Sequence, residues 1–445
     1  MAVEACHGTQ GSARLVLADA LDMCRMLEAE GQKGHVDLVY VDPPYGSQAD
    51  YELEARLDGS ADGRVRRAPA YEDTWADKDG GASAYLDMLA PRLAALSSLL
   101  SPRGTIWVHV DWRASYLVRV LLDEIMGREA FINEIVWRRA PNLGRQAKSA
   151  QFGRTLDTIV VYGGPKARLV PPMRKEPIEP RAIRYDEEGR AFTSAPRGDY
   201  TDLSIEKLDR EGRVHRTPSG KVYIKYFLVP DETGTLCRER PIDALWTDIP
   251  PLRHAKASER TGFPTQKPLA LLERIIECAT KPGDLVVDAF SGSGTTVCAA
   301  AKLQRVGIGG DKSMAALSVA RARLLAQSAA VRLDALGPLT ARATVSVRHK
   351  AQGDTRSIEL VAPKEPRAWA VLRVESAVPT VLFHSERGAG KEPAPVDTKC
   401  TVKAEGPLLV RVYLDDGAVG ETTVEHAGVA VGTGRLAFDA SAEVP

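Results

Sequence analysis

Two short stretches of this sequence combine residue types that suit chemistry at the end of a β-strand. The first is DPPY, Asp42-Pro43-Pro44-Tyr45, which directly follows the apolar run VDLVYV. Consecutive prolines fix the backbone and carry no N–H, so they end sheet pairing and hold their carbonyl oxygens as rigid acceptors. One carboxylate, two fixed acceptors and an aromatic face together suit a planar group that bears an amino substituent. A plain strand-terminating turn is the alternative interpretation.

The second stretch is a glycine-rich turn, DAFSGSGTT, at 288–296. Glycines permit tight turns and close approach to a ligand, and the helix that follows offers free N–H groups to an anion. A phosphate loop of the Walker type needs Gly-Lys-Ser/Thr, which is absent, and a dinucleotide fingerprint needs a third glycine where Val297 stands. A nucleoside that carries a carboxylate is the third possible ligand, with Asp288 at the strand end, and a simple strand–helix turn is the alternative.

The sequence also predicts the elements that position these stretches. Strand patterns alternate with helix patterns from ARLVLAD to DTIVVYGG and again from KPLALLERIIECAT to SMAALSVARARLLAQSAA, which predicts parallel pairing in an open α/β sheet. Ligands bind at the carboxyl ends of such strands, where both stretches lie. Residues 54–80, rich in Gly, Asp and Arg, predict a mobile loop.

Changes in this pattern predict four segments in the 445 residues. The α/β pattern occupies 1–165 and 246–333. Between them, Pro, Arg, Lys and Glu dominate an insertion at 166–245, in which only KVYIKYFLV resembles a strand. Short β segments separated by Gly, Pro and Asp turns fill 334–445, which predicts a C-terminal all-β domain of unknown role.

DPPY followed by a strand-borne FSGSG is the joint signature of the amino-group DNA methyltransferases, which use S-adenosyl-L-methionine. The chain resembles that family in its beta order, in which the catalytic motif precedes the cofactor loop and the target-recognition region lies between them. TQKP, LADALDMCRML, NEIVWRR, DTIVVY and LWTDIPP resemble further landmarks of the family. The resemblance covers about 13–165 and 245–330. It implies a Rossmann-like methyltransferase sheet with helices on both faces and target recognition by the insertion at 166–245.

The resemblance implies a role for each site residue. The predicted catalytic residues are Asp42, Pro43, Pro44 and Tyr45. The Asp42 carboxylate and the Pro43 carbonyl would accept hydrogen bonds from the target amino group, and Tyr45 would stack on a base flipped out of the duplex. The cofactor S-adenosyl-L-methionine would be bound by Asp19 (at its adenine), Asp42, Lys267, Asp288, Phe290, Ser291, Gly292, Gly294, Thr295, Thr296 and Asp311.

One position departs from the family pattern. Gly309 stands where the family carries an acid for the cofactor ribose. Asp311 comes two residues later and is predicted to substitute for that acid.

The predicted activity is site-specific methylation of adenine N6 in duplex DNA, because Asp rather than Ser begins the DPPY motif. Cytosine N4 methylation is the first alternative, and an RNA methyltransferase or a DNA-binding module with weak catalysis are the others. Methylation of a cytosine ring carbon would need a cysteine after a proline, and none of the six cysteines stands there. His109 and Asp111, in VHVDW, are interpreted as structural residues at a strand end.

A basic stretch at 138–154 contains five cations and no acid. Such a stretch suits the phosphates of DNA, with a solvated basic loop as the alternative. The predicted DNA-binding residues are Arg138, Arg139, Arg145, Lys148 and Arg154. Double-stranded DNA is thus the predicted partner, and a second copy of the chain and a cognate restriction enzyme are further candidates.

Composition limits the other possibilities. Lys plus Arg and Asp plus Glu number 59 each, and a net charge of zero neither supports nor excludes a polyanionic partner, which responds to local patches. The cysteines form no CxxC pair, so neither a metal site nor a disulfide framework is indicated, and a reducing cytoplasm fits best. No apolar stretch is long enough for a membrane span.

Overall fold

The computed structural model describes most of the chain. The described residues are 2–6, 10–44, 49–56, 65–73, 81–140, 152–167, 169–256, 259–327, 329–336, 344–352, 355–362, 368–373, 380–386, 399–403, 408–413, 419–424 and 428–433. The chain divides into two compact units, one formed by Met1–Val170 with Ala244–Pro445 and the other by Pro171–Asp243. No helix in the described ranges is long and apolar enough to cross a membrane.

The first unit contains most of the elements. Its N-terminal strands are β1 (Ala2–Cys6), β2 (Gln10–Leu17), β3 (Val36–Val41), β4 (Ala49–Arg56), β5 (Val65–Asp73), β6 (Leu100–Val110), β7 (Phe131–Arg138) and β8 (Leu156–Gly163). Its N-terminal α-helices are α1 (Ala20–Ala29), α2 (Ala82–Ser98) and α3 (Ser115–Met126).

The second unit is mainly β. Its elements are β9 (Met173–Pro177), β10 (Arg184–Tyr185), β11 (Ala191–Pro196), α4 (Asp202–Arg210), β12 (Val214–Arg216), β13 (Val222–Phe227), β14 (Val229–Pro230) and β15 (Leu236–Pro241). They form a sheet of order β10-β11-β13-β12 and another of order β14-β15-β9. The first sheet is covered by α4, which buries Ile205 and Leu208 against Ile224.

The chain then returns to the first unit. The next elements are β16 (Leu245–Trp246), α5 (Leu269–Ala279), β17 (Leu285–Asp288), α6 (Thr295–Lys302), β18 (Val306–Asp311), α7 (Met314–Ala326) and β19 (Ala329–Ala335). The C-terminal strands are β20 (Thr344–Gln352), β21 (Thr355–Ala362), β22 (Ala368–Arg373), β23 (Thr380–Glu386), β24 (Lys399–Lys403), β25 (Leu408–Tyr413), β26 (Val419–Val424) and β27 (Gly428–Thr433).

One large sheet organises the first unit, in the order β16-β7-β8-β6-β3-β17-β18-β2-β19-β1-β23-β22-β25-β26. The run from β6 through β3, β17, β18 and β2 to β19 is parallel. Helices α1, α2 and α3 pack in one core with β3 and β6, and α6 and α7 pack in another with β2 and β19. The predicted α/β sheet with helices on both faces is therefore confirmed.

Two predictions about individual elements were wrong. β8 pairs antiparallel with both β6 and β7, because β7 and β8 follow each other with no helix between them in the described part of the chain. The predicted loop at 54–80 contains β5 and the end of β4, which pair antiparallel. The two strands pair through backbone hydrogen bonds, which do not require apolar side chains. The polar composition of this segment therefore gave no indication of strands.

The insertion and the C-terminal region hold more strands than their patterns indicated. Seven short strands occur in 171–243, where only the run that became β13 was predicted. From 344 onwards every described residue lies in a strand, as the prediction of an all-β region required. Strands β23, β22, β25 and β26 extend the large sheet, and a separate sheet has the order β24-β21-β20-β27.

Candidate active site

A cavity of about 460 Å³ lies in the first unit, at the carboxyl ends of β2, β3, β17 and β18. Asp42, Pro43 and Pro44 line it from the end of β3, and Asp288 lines it from the end of β17. The two strands are direct neighbours, with Asp288 opposite Tyr40 in the parallel register. The sheet therefore brings the two chemically suggestive stretches together.

Most of the predicted site residues line this same cavity. They are Asp19, Asp42, Pro43, Pro44, Lys267, Asp288, Phe290, Ser291, Gly292, Thr295, Thr296 and Asp311. Tyr45 lies outside the described residues. Gly294 is described but is not among the residues that line the cavity.

Asp288 is the most deeply buried carboxyl of the cavity wall. Its Oδ1 accepts a hydrogen bond from the Phe290 N–H at 2.9 Å, and its Oδ2 accepts one from the Thr296 hydroxyl at 2.5 Å. Burial raises the pKa of Asp288 to about 7, with a smaller contribution from the charge of Asp42, although both hydrogen bonds act to lower it. A cationic ligand beside this carboxyl would favour its ionised form.

The two glycines of the turn have different roles. Gly292 has φ of +50°, and a Cβ there would lie 3.2 Å from the Phe263 ring. Gly294 has φ of +74°, and a Cβ there would lie 2.4 Å from the Cβ of Ala320 on α7. Gly294 thus lets α6 pack closely on α7, and it is not among the residues that line the cavity.

The departure at Gly309 has a steric cause. A Cβ at Gly309 would lie 2.6 Å from the hydroxyl oxygen of Ser291 and 2.9 Å from Cγ1 of Val297. Asp311 instead accepts from the N–H groups of Gly292, at 2.9 Å, and Ser313, at 2.8 Å. Its carboxyl fastens the glycine turn to the end of β18, and burial raises its pKa to about 6.

Asp19 stands at the start of α1, where its side chain accepts from the Leu21 N–H at 2.9 Å. Arg92 and Lys312 each approach its Oδ2 to 2.8 Å, and all three residues line the cavity. Burial acts to raise the pKa of Asp19, but the hydrogen bonds from these two cations lower it to about 2. Sequence reasoning missed both cations. Lys312 could have been found because it directly follows the predicted site residue Asp311, whereas nothing in the sequence indicated Arg92.

Asp42 and Lys267 form an ion pair inside the cavity wall. Lys267 precedes α5, in a segment that the Gln266 side chain holds in place. Gln266 accepts from the Thr261 N–H at 3.0 Å and from the Thr261 hydroxyl at 2.7 Å, and it donates to the Glu259 carbonyl at 2.7 Å. A fixed ammonium group thus helps to orient the carboxylate that the sequence identified as catalytic.

The cavity satisfies the requirements of a carboxylate-bearing nucleoside. Its volume falls within the range of small-ligand sites. The buried hydroxyl oxygen of Ser291 has no hydrogen-bond partner among the described residues, so a polar group is available to a ligand. Asp288 and Asp311 supply acceptors for ammonium or hydroxyl donors, and Phe263 and Phe290 supply apolar surface. These residues fit S-adenosyl-L-methionine.

Three of the predicted DNA-binding cations are described. Arg138 is exposed, Arg139 lies 2.8 Å from Asp157, and the Arg154 guanidinium lies 3.9 Å from the centre of the Trp112 ring. Arg145 and Lys148 lie outside the described residues. The exposed Trp112 was missed by sequence reasoning, although it directly follows VHVD at the end of β6.

Trp112, Arg113 and Arg154 are referred to below as the cationic–aromatic surface. The Arg113 guanidinium also lies near the Trp112 ring, 5.2 Å from its centre, and 2.6 Å from the Asp111 carboxylate. Guanidinium groups favour phosphates, and aromatic faces favour exposed bases. The arrangement suits a nucleic acid.

The sequence of this chain is similar to those of known proteins. The model of a family described as DNA methylase matches residues 36–322. The type II methyltransferase M.EcaI of Enterobacter cloacae is 28% identical over 315 residues, which are 65% of this chain and 64% of the relative. The Mod subunit of the type III restriction-modification enzyme StyLTI of Salmonella typhimurium is 25% identical over 324 residues, 62% of this chain and 48% of the relative. The chain thus spans less than two thirds of either relative.

A solved structure is also similar. The crystal structure of the M1.HpyAVI–SAM complex is 18% identical, with a TM-score of 0.39, and the match covers 70% of this chain and 98% of that one.

Proposed function

The chain belongs to the DNA methylase family, and on that premise we propose that it transfers a methyl group from S-adenosyl-L-methionine to the N6 amino group of adenine in duplex DNA. One observation carries the proposal: the DPP segment and the glycine-rich turn line a single cavity from neighbouring strands. An amine acceptor and a nucleoside site are thereby held next to each other, as methyl transfer requires.

The residues of the chain would mainly bind and orient. S-adenosyl-L-methionine supplies a methyl group on a sulfonium. Asp288, Ser291 and Asp311 are the polar groups that would hold this cofactor. The Asp42 carboxylate and the Pro43 carbonyl would accept hydrogen bonds from the target amino group and aim its lone pair at the methyl carbon. Because Pro43 and Pro44 have fixed φ angles, these acceptors keep their places.

The acceptors at Asp42 and Pro43 suit the amino group of adenine and that of cytosine. Asp at the first position of the motif favours adenine N6, and cytosine N4 is the second candidate. A base inside a duplex is out of reach of a cavity, so the target must leave the stack at a cost of a few kcal/mol. The cationic–aromatic surface is the proposed contact with the DNA around it.

Partners beyond DNA follow from the same premise. The StyLTI relative is named as a subunit of a restriction-modification enzyme. A cognate nuclease is therefore a candidate partner of this chain, and so is a second copy, which copurification and light scattering would test. We propose the cytoplasm as the place of this activity, because the substrate is cellular DNA.

The proposal is tested with labelled S-adenosyl-L-methionine and mixed-sequence duplex DNA, followed by hydrolysis to nucleosides. We expect N6-methyladenine. N4-methylcytosine in its place would move the chain to the second candidate, and the absence of any methylated base would refute DNA methylation. RNA of the same sequences, added as competitor, tests the RNA alternative.

The role of Asp42 is tested in the same assay. We expect Asp42→Ala to lose methyl transfer and to retain cofactor binding, measured by calorimetry. Asp22→Ala is the matched control, because Asp22 is an exposed carboxylate on α1. Full activity of Asp42→Ala would show that the carboxylate is not an essential acceptor, and loss of cofactor binding would show that Asp42 holds the cofactor, the other role that the resemblance implies for it.

A further inference from the structure

Three buried polar side chains, one each on β3, β6 and β8, form a hydrogen-bonded row that begins at the cavity. The Tyr40 hydroxyl lies 2.8 Å from Nδ1 of His109, and Nε2 of His109 lies 3.3 Å from Oδ2 of Asp157. Their exposed fractions are 2%, 0% and 4%. The proposed function gives these three side chains no role, and the sequence indicated only a structural role for His109.

The direction of these hydrogen bonds depends on whether the Asp157 carboxyl is ionised. Burial acts to raise the pKa of Asp157, but the hydrogen bond from His109 lowers it, with further contributions from Lys267 and Arg139. An ionised Asp157 only accepts, so Nε2 of His109 must carry a hydrogen. In the tautomer with hydrogen on Nε2 alone, Nδ1 is an acceptor and the Tyr40 hydroxyl donates to it.

Because the Tyr40 hydroxyl uses its hydrogen to donate to His109, its oxygen can still accept a hydrogen bond through its lone pairs. Tyr40 lines the cavity, whereas His109 and Asp157 are not among the lining residues. Tyr40 lies in β3 and Asp42 follows the last residue of that strand, and both residues line the cavity. Tyr40 thus connects the cavity, which Asp42 also lines, with a buried imidazole and a buried carboxylate.

We propose that Tyr40, His109 and Asp157 form a relay that removes the surplus proton from the methylated amino group. The inference rests on the proposed function, because only methylation of an amine produces that proton. When the N–CH₃ bond forms from the nitrogen lone pair, the S–CH₃ electron pair returns to sulfur and the nitrogen becomes cationic. One N–H bond then breaks, and its electron pair stays on nitrogen.

The released proton joins the Tyr40 oxygen as the original hydroxyl proton passes to Nδ1 of His109. No net charge remains on Tyr40, and His109 becomes an imidazolium that faces the Asp157 carboxylate. Arg139 also faces that carboxylate, at 2.8 Å, although its N–H is not aligned for a hydrogen bond. Tyr40 would be a catalytic residue, and His109 and Asp157 would be positioning residues that act through it.

The kinetic test compares Tyr40→Phe with the wild-type protein in single-turnover methyl transfer at saturating cofactor and DNA. General bases contribute on the order of 10²–10⁴ to a rate, so we expect a loss of about 100-fold or more, with cofactor affinity unchanged. Tyr162→Phe is the matched control. Tyr162 is equally buried in the same sheet, and its hydroxyl donates to Asp123 at 2.5 Å, so its loss affects stability and not transfer.

A second measurement needs neither cofactor nor activity. In ¹⁵N-histidine NMR spectra of the wild-type protein, with His109→Asn for assignment, we expect the tautomer of His109 that carries its hydrogen on Nε2. Hydrogen on Nδ1 would overturn the relay, because Tyr40 could not then donate to that nitrogen.

The kinetic outcomes separate the relay from the proposed function. Absence of transfer by the wild-type protein would overturn the proposed function and the relay with it. Normal wild-type transfer, with Tyr40→Phe within threefold of it, would overturn the relay alone.

Discussion

Replacing Asp288 by asparagine should reveal the cost of keeping a buried carboxyl in the cofactor cavity. The pKa of Asp288 is raised from its ordinary 3.8 to about 7. A raised pKa in the folded state contributes stability that is fully present below about pH 4 and is lost as the pH rises to about 7. Each pKa unit corresponds to about 1.4 kcal/mol, so the whole loss is about 4 kcal/mol.

Most of this loss occurs between pH 5 and pH 8, where it amounts to about 3 kcal/mol over two pKa units. Asparagine does not titrate, so the free energy of unfolding of Asp288→Asn, relative to wild type, should rise by that amount between the two pH values. Comparing the variant with itself at two pH values cancels the change in its hydrogen bonds with Thr296 and Phe290.

The assay is urea denaturation of both proteins at pH 5 and pH 8 without cofactor. Asp22→Asn is the control for loss of an exposed carboxylate. If the stability difference between Asp288→Asn and wild type is the same at both pH values, the carboxyl is ionised in both and the argument from burial fails.

Two further predictions concern the packing of the glycine turn and the DNA contact. Gly294→Ala should destabilise the protein by about 1–3 kcal/mol more than Gly283→Ala in thermal denaturation, because both glycines have positive φ but only Gly294 has a close neighbour, Ala320. Equal losses would show that α7 moves aside freely. Arg154→Ala should weaken DNA binding and reduce the slope of log affinity against log salt by about 0.9, whereas Trp112→Ala should weaken binding with little change in slope. Titrations at several salt concentrations, with the exposed Arg25→Ala as control, measure both, and an unchanged slope for Arg154→Ala would remove Arg154 from the phosphate contacts.

The sequence predicted those parts of the fold in which successive residues are buried and therefore apolar. Five of the six residues of β3 are apolar and buried, with Asp37 as the exception, which is typical of a strand covered on both faces. The direction of a strand does not affect which of its residues are apolar. The antiparallel pairing of β8 with β6 and β7 was therefore not predictable from its composition. The pair formed by β4 and β5 was missed because its backbone ladder needs no apolar pattern.

The same distinction applies to the site. The DPP segment and the glycine turn were identified because each carries its chemistry within a few successive residues. The partners of these residues come from distant places: Tyr40 and His109 are 69 residues apart, and His109 and Asp157 are 48 apart. Only the order β3-β6-β8 in the sheet brings them together. Arg92 likewise meets Asp19 across 73 residues of chain.

The departure at Gly309 shows how a local steric constraint and strand geometry can act together. The Ser291 side chain occupies the space beside Gly309, so the acid that the family carries there would collide with the glycine turn. Successive side chains alternate across a strand, so Asp311 emerges on the same face as position 309 and nearer the carboxyl end of β18. From there its carboxyl lines the cavity and also holds the Gly292 N–H. An acid displaced by two residues is therefore a compensating change, and we expect Asp311 to remain the residue that meets the cofactor ribose.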